Sequence, residues 1–108
     1  MKILAILAAL FLSIGYGHAQ TYEKFVEKSF DFLDKNDLVS AEESLRAAMR
    51  LEPGNPNNYA LLMNLGTIQR RQGKLEDALL SYTAALSRHP NNEAILENRA
   101  GLYTEMGE

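Results

Sequence analysis

Cysteine and tryptophan are both absent from the 108 residues. Without a thiol the chain has no disulfide framework, no thiolate metal site, no iron–sulfur cluster, no cysteine nucleophile and no lipidated cysteine. Histidine is scarce as well, with His18 and His89 the two copies. One histidine without cysteine or a carboxylate cluster beside it is no metal site. His89, directly before Pro90 at the end of a periodic run, reads as a basic group at a helix C-terminus. Positive charge is outweighed, 11 basic residues against 14 acidic ones for a net charge of −3, so the chain lacks the basic footprint of a nucleic-acid binder. Gly73-Lys74 is followed by Leu75 and belongs to no glycine-rich phosphate loop. These absences leave no catalytic constellation, and no enzyme activity, metal or cofactor is expected.

Long apolar runs are missing too. Ile3 to Leu12 is unbroken but falls short of the ~20 residues a spanning helix needs. Lys2 precedes it, and Gly17-His18-Ala19 follows with small residues at both flanking positions, the layout of a secretory signal peptide cleaved after Ala19. The expected division is a leader over residues 1–19 and a mature domain over 20–108, exported to a bacterial periplasm and not inserted in the membrane after cleavage. With Lys2 removed, ten basic residues face 14 acidic ones, a net charge of −4. At 46% hydrophobic residues the chain has the composition of an ordinary globular domain.

What is present beyond the leader is helical periodicity. Tyr22, Phe25, Val26, Ser29, Phe30, Phe32 and Leu33 recur at steps of three and four behind Thr21, a candidate N-cap. Lys35-Asn36-Asp37 breaks the pattern. A second run goes from Leu38 to Leu51, and Pro53-Gly54 ends it. After the turn cluster Asn55-Pro56-Asn57-Asn58 the same grammar restarts: one helix from Tyr59 to about Gln72, a break at Gly73, and another from Leu75 to Arg88 closed by His89-Pro90. Asn91-Asn92 caps a third start, periodic through Ile95, Leu96, Ala100, Leu102, Tyr103 and Met106 up to Gly107. The acidic pairs Glu42-Glu43 and Glu76-Asp77 are expected in the first turns of the second helices, solvated and complementing the helix dipole.

The recurrence is numerical. Leu38 and Leu75, Ala41 and Ala78, Leu45 and Tyr82, Ala48 and Ala85, and Pro53 and Pro90 are each 37 residues apart, whereas Leu62 and Leu96, Asn64 and Asn98, and Gly66 and Ala100 are each 34 apart. The difference is an insertion around Asn55-Pro56-Asn57, where a loop tolerates it. The unit is therefore a 34-residue helix–turn–helix. Ser29, Gly66 and Ala100 on the first helices, and Ala41, Ala48, Ala78 and Ala85 on the second, are small where two helices approach closely.

With those residues in place, the unit resembles the tetratricopeptide repeat. Counting from Tyr59, the second copy matches the family pattern with Leu62, Leu65, Gly66, Gly73, Ala78, Tyr82, Ala85 and Pro90. It departs at Gln69, where the family usually carries an aromatic, and at Leu62, where it often has Trp. The first copy, from Tyr22, matches with Phe25, Phe32, Ala41, Ala48 and Pro53 and has Lys28 at a usual Leu position; the third, from Glu93, matches with Leu96, Ala100, Tyr103 and Gly107 and has Arg99 there. The resemblance implies an all-α, right-handed helix–turn–helix solenoid of about two and a half repeats after the signal peptide: residues 22–55, 59–92, and a first helix from 93–108.

It also implies where function lies. In such arrays the first helices of successive repeats line a concave groove that binds a peptide or a partner helix. The groove residues implied here are Val26, Phe30 and Leu33, then Met63, Asn64, Thr67 and Arg70 or Arg71, then Glu97, Asn98 and Gly101. Phe30, Met63, Asn64, Thr67, Arg71 and Asn98 are the candidate binding set, with the two Asn placed for a peptide backbone and Arg71 for an acidic group. Members of the family that bind chaperone tails use a Lys and an Asn where this chain has Val26 and Phe30, which disfavours a carboxylate clamp and points to an apolar element in the groove. The expected function is thus a protein-interaction adaptor or assembly scaffold. The alternatives are a self-associating scaffold that packs through its last helix, or an appendage to activity elsewhere in a longer protein. The apolar arc of that last helix, Ile95, Leu96, Ala100, Leu102 and Tyr103, needs a cover, with continuation of the chain favoured over a partner or a second copy.

Overall fold

The computed structural model of the chain describes residues 21–107, so the expected leader lies outside the described residues. Five helices follow one another: α1 (Tyr22–Asp34), α2 (Leu38–Leu51), α3 (Asn58–Arg71), α4 (Leu75–Arg88) and α5 (Glu93–Met106). No strand occurs among the described residues, and no helix there is long and apolar enough to cross a membrane. Polar caps set several of these boundaries. The Thr21 hydroxyl accepts from Lys24 N at 3.1 Å, Asp37 Oδ1 from Ser40 N at 3.1 Å and Asn92 Oδ1 from Ile95 N at 3.1 Å, each satisfying a donor that the first turn leaves free.

The turns within the repeats share one conformation. Asn36 (φ 57°), Gly73 (φ 80°) and Gly107 (φ 84°) are left-handed, at the same register in the three copies. Only glycine adopts that region without cost, and asparagine tolerates it better than other residues. α1 thus doubles back as α2, and α3 as α4.

Each hairpin meets its neighbour through the next first helix. Ala41, Leu45 and Ala48 of α2 are buried with Leu61, Leu65 and Ile68 of α3; Ala78, Tyr82, Ala85 and Leu86 of α4 are buried with Ile95 and Leu102 of α5. Leu62 packs against both clusters and ties the two into one core. Burial of a side chain of this size contributes about 1.5–3 kcal/mol, which outweighs any intrinsic preference of these 14-residue helices to form alone.

The inserted residues between α2 and α3 change the local chemistry. At the α4–α5 turn the register residue Asn92 is an N-cap, whereas its counterpart Asn58 has been drawn into the first turn of α3 and buried. There its amide nitrogen donates to the carbonyls of Glu52 (2.9 Å) and Pro53 (3.3 Å), and its oxygen accepts from the Tyr22 hydroxyl at 2.9 Å. One side chain thereby fastens the loop to both hairpins. With the longer loop, no Cα of α1 comes within 8 Å of one in α3, whereas α3 and α5 do pack together.

Two sequence expectations are corrected. Glu42 and Glu43 lie beyond the first turn of α2, because that helix starts at Leu38. Glu42 is not solvated: its side chain is 12% exposed and pairs with Arg46 (2.9 Å) and with Lys74 of the next hairpin (3.5 Å). His89 is the C-cap of α4 as expected, but its ring packs on Tyr59 with centroids 3.9 Å apart, so it also closes the second hairpin.

Candidate functional site

Helical geometry separates two faces of α3. Leu61, Leu65, Ile68 and Gln69 are buried, while Met63, Asn64, Thr67 and the arginines are half-buried or exposed on the other side. Asn98 and Gly101 repeat Asn64 and Thr67 on α5. The packing of α3 on α5 confirms that these faces adjoin: the Arg70 guanidinium lies over Gly101, where an added Cβ would meet it at 3.2 Å, and continues to Glu105 at 3.0 Å. The hydrogen bond to Glu105 raises the Arg70 pKa above its ordinary value and so holds the charge in place.

The expected groove residues divide into engaged and available. The Thr67 hydroxyl is bonded to the Met63 carbonyl (3.2 Å) and to the Tyr82 hydroxyl (2.8 Å), where it satisfies a buried phenol. Arg71 donates to Asn36 Oδ1 at 2.9 Å, latching the second hairpin to the turn of the first, so an acidic ligand would have to compete with that latch. Met63 packs against the second core cluster. Asn64 and Asn98 are half-buried, and neither amide forms a hydrogen bond with another described residue or is sealed from solvent. Phe30 is 49% exposed on α1 and stands apart, because α1 does not close on α3. The structure therefore brings Met63, Asn64, Thr67 and Asn98 onto one surface and leaves Phe30 apart from it.

Gln69, the departure from the aromatic pattern, turns out to be 2% exposed. In the amide orientation that pairs all its polar atoms, the nitrogen donates to the Asp77 carbonyl (3.1 Å) and to the Ser81 hydroxyl (2.6 Å), and the oxygen accepts from Arg46 at 3.1 Å. The chain Lys74–Glu42–Arg46–Gln69–Ser81 crosses from one hairpin to the next. Sequence reading missed it; a buried-position glutamine facing a serine and an arginine was the available signal.

A crevice of about 460 Å³ lies away from this groove, between α1 and α2. Phe25 and Phe32 form its floor, and its rim mixes Lys28, Lys35 and Arg50 with Asp31 and Glu43. With charges of both signs and no convergent buried polar group, it offers a ligand nothing specific. No group of metal-ligating side chains occurs among the described residues.

A family model described as tetratricopeptide repeat matches residues 59–92, the span of α3, α4 and their closing turn. The chain carries a tetratricopeptide repeat. A solved tetratricopeptide repeat protein from Parabacteroides merdae is 73% identical with a TM-score of 0.80, over 82% of this chain and 35% of that one. The photosystem I assembly protein Ycf3 of Synechococcus sp. is 25% identical over 98% of this chain and 62% of its own length. The human protein O-mannosyl-transferase TMTC1 is 36% identical over 74% of this chain and 9% of its own. The chain thus spans less than two thirds of each of these proteins. Tetratricopeptide repeats generally mediate protein–protein interaction, which suits a surface of polar and apolar side chains better than any catalytic reading of it.

Proposed function

We propose that the chain is an interaction module whose α3–α5 surface binds an extended segment of a partner protein. The observation that carries this reading is the pair Asn64 and Asn98, repeated at 34 residues on adjoining helices with both amides available. A carboxamide presents a donor and an acceptor together, the complement of a peptide unit. Met63 supplies apolar contact beside them, and Arg70, held by Glu105, shapes the far end of the surface. The assembly role in the name of the Synechococcus relative is in keeping with an adaptor that holds other proteins. Export to a periplasm is part of the proposal and rests on the Lys2, Ile3–Leu12 and Ala19 layout.

A photo-crosslinking residue placed at Asn64, at Asn98, or at the outer control position Thr83 tests the surface. Expressed in the source cell, the first two are predicted to give the same adduct and the third none; in purified form, Asn64→Ala with Asn98→Ala weakens that partner roughly tenfold, the worth of one to two hydrogen bonds. Adducts at Thr83 alone, or unchanged affinity, contradict the assignment. N-terminal sequencing of the protein from the periplasm should begin at Gln20 if export and cleavage are right.

A further inference from the structure

The second helices of the two hairpins stand apart. No Cα of α2 comes within 8 Å of one in α4, although each of them packs on α3. The gap between them is a crevice of about 250 Å³, on the side of α3 away from Asn64 and Asn98. Leu62 and Leu65 of α3 line its floor, with Arg46 of α2 on one wall and Leu80 and Ala84 of α4 on the other. The polar groups at its base are used up: Gln69 and Ser81, 2% and 7% exposed, are bonded to each other, and the Gln69 oxygen holds Arg46. That network fixes floor and wall without help from a ligand.

Two side chains are left over. Leu80 is 69% exposed, the most of any large apolar residue described, and it stands at the mouth of an apolar crevice rather than alone on a polar surface. Arg50, one turn beyond Arg46 on α2, is exposed and has no ion pair among the described residues, whereas Arg46 and Lys74 share Glu42. With Met49 and Pro53 it lines a continuation of about 330 Å³, which Arg46 joins to the first crevice. We propose that this α2–α4 crevice is a second binding site, independent of the α3–α5 surface, for a segment of a partner protein that carries a large apolar residue and a carboxylate. An apolar cavity of about 150 Å³ admits a benzene ring, so one such side chain has room over Leu62 and Leu65 and against Leu80. The carboxylate pairs with Arg50. Leu80 is in register with Glu43, 37 residues before it, and Arg50 lies seven residues past Glu43. At 1.5 Å per residue that is about 10 Å along the helices, or about three residues of extended chain.

The probes are two short peptides, acetylated and amidated, one containing Leu-Ser-Ser-Glu and the other Glu-Ser-Ser-Leu, one for each chain direction. In a control pair lysine replaces glutamate. Each is titrated into the isotope-labelled protein and read by amide chemical shifts. An acidic peptide is predicted to shift the amides around Leu80, Ser81 and Arg50, and its lysine counterpart to bind about fivefold more weakly, the worth of one exposed ion pair. Leu80→Ser and Arg50→Glu, at exposed positions that leave the fold intact, both weaken the acidic peptide, and Arg50→Glu reverses the preference. Asn64→Ala with Asn98→Ala leaves this binding unchanged, and Thr83 does not line the crevice, so a crosslinker there stays silent. Absence of shifts, shifts confined to α3 and α5, or equal binding of the acidic and lysine peptides overturns the proposal. A dimer of the protein alone that Leu80→Ser dissociates in sedimentation also overturns it, in favour of a second copy.

Discussion

At the scale of single residues, fit is decided by tenths of an ångström. A Cβ on Gly66 would sit 2.7 Å from the Tyr82 ring, and Tyr82 is fully buried with its hydroxyl held by Thr67. Gly66→Ala is therefore predicted to destabilise the fold by about 1–3 kcal/mol in urea titrations. The first repeat shows the compensated solution, Ser29 with Leu45, both buried. Adding Tyr82→Leu to Gly66→Ala should then recover part of the loss, and strict additivity of the two would contradict the contact. Tyr22 makes a second residue-scale case. Burial, then Glu52 and then Glu23, raises its phenol pKa above 10.0. The folded state holds that proton more tightly than the unfolded one, so the contribution is complete below pH 10 and is lost as pH rises through the folded value. Stability is predicted to fall above pH 10, and Tyr22→Phe should flatten that fall while costing about 1 kcal/mol at neutral pH through the lost bond to Asn58. An unchanged alkaline slope in Tyr22→Phe contradicts the assignment.

At the scale of helices and turns, local signals made the boundaries legible. Asp37, Gly73 and the prolines fix α2 and α4 at Leu38–Leu51 and Leu75–Arg88, as the sequence reading places them, because capping and breaking act over a few residues. The cross-hairpin pairs were not legible. Lys74 reaches Glu42, and Arg71 reaches Asn36, across 32 and 35 residues of chain, and such pairings depend on how one hairpin sits on the next. Asn58 was read as part of a turn cluster, and its inward role follows from loop geometry that spacing does not encode. The salt bridges differ in consequence for the same reason. Lys24 and Glu27 are both mostly exposed, so Lys24→Ala should change stability by less than about 0.5 kcal/mol. Arg46→Met leaves the buried Gln69 oxygen without a partner and the sheltered Glu42 with Lys74 alone, and is predicted to cost about 1–3 kcal/mol by thermal or urea unfolding. Equal losses in the two variants would contradict this ordering.

At the scale of the whole molecule, the array has a direction. The exposed edge of α1 is charged, Leu96 and Tyr103 are partly exposed on α5, and the proposed binding surface runs along α3 and α5 between them. The candidate binding set was half legible: helical periodicity puts Met63, Asn64 and Thr67 on one face. It did not show that Thr67 and Arg71 are already engaged, or that the inserted loop holds Phe30 away from α3. The central claim is that the partner lies along α3 and α5, and amide hydrogen exchange of the chain with and without its crosslinked partner protein tests it most directly. The account predicts slowed exchange in α3 and α5 around Asn64 and Asn98, with α2 and the outer face of α4 unchanged. Protection confined to α2 and α4 would contradict it.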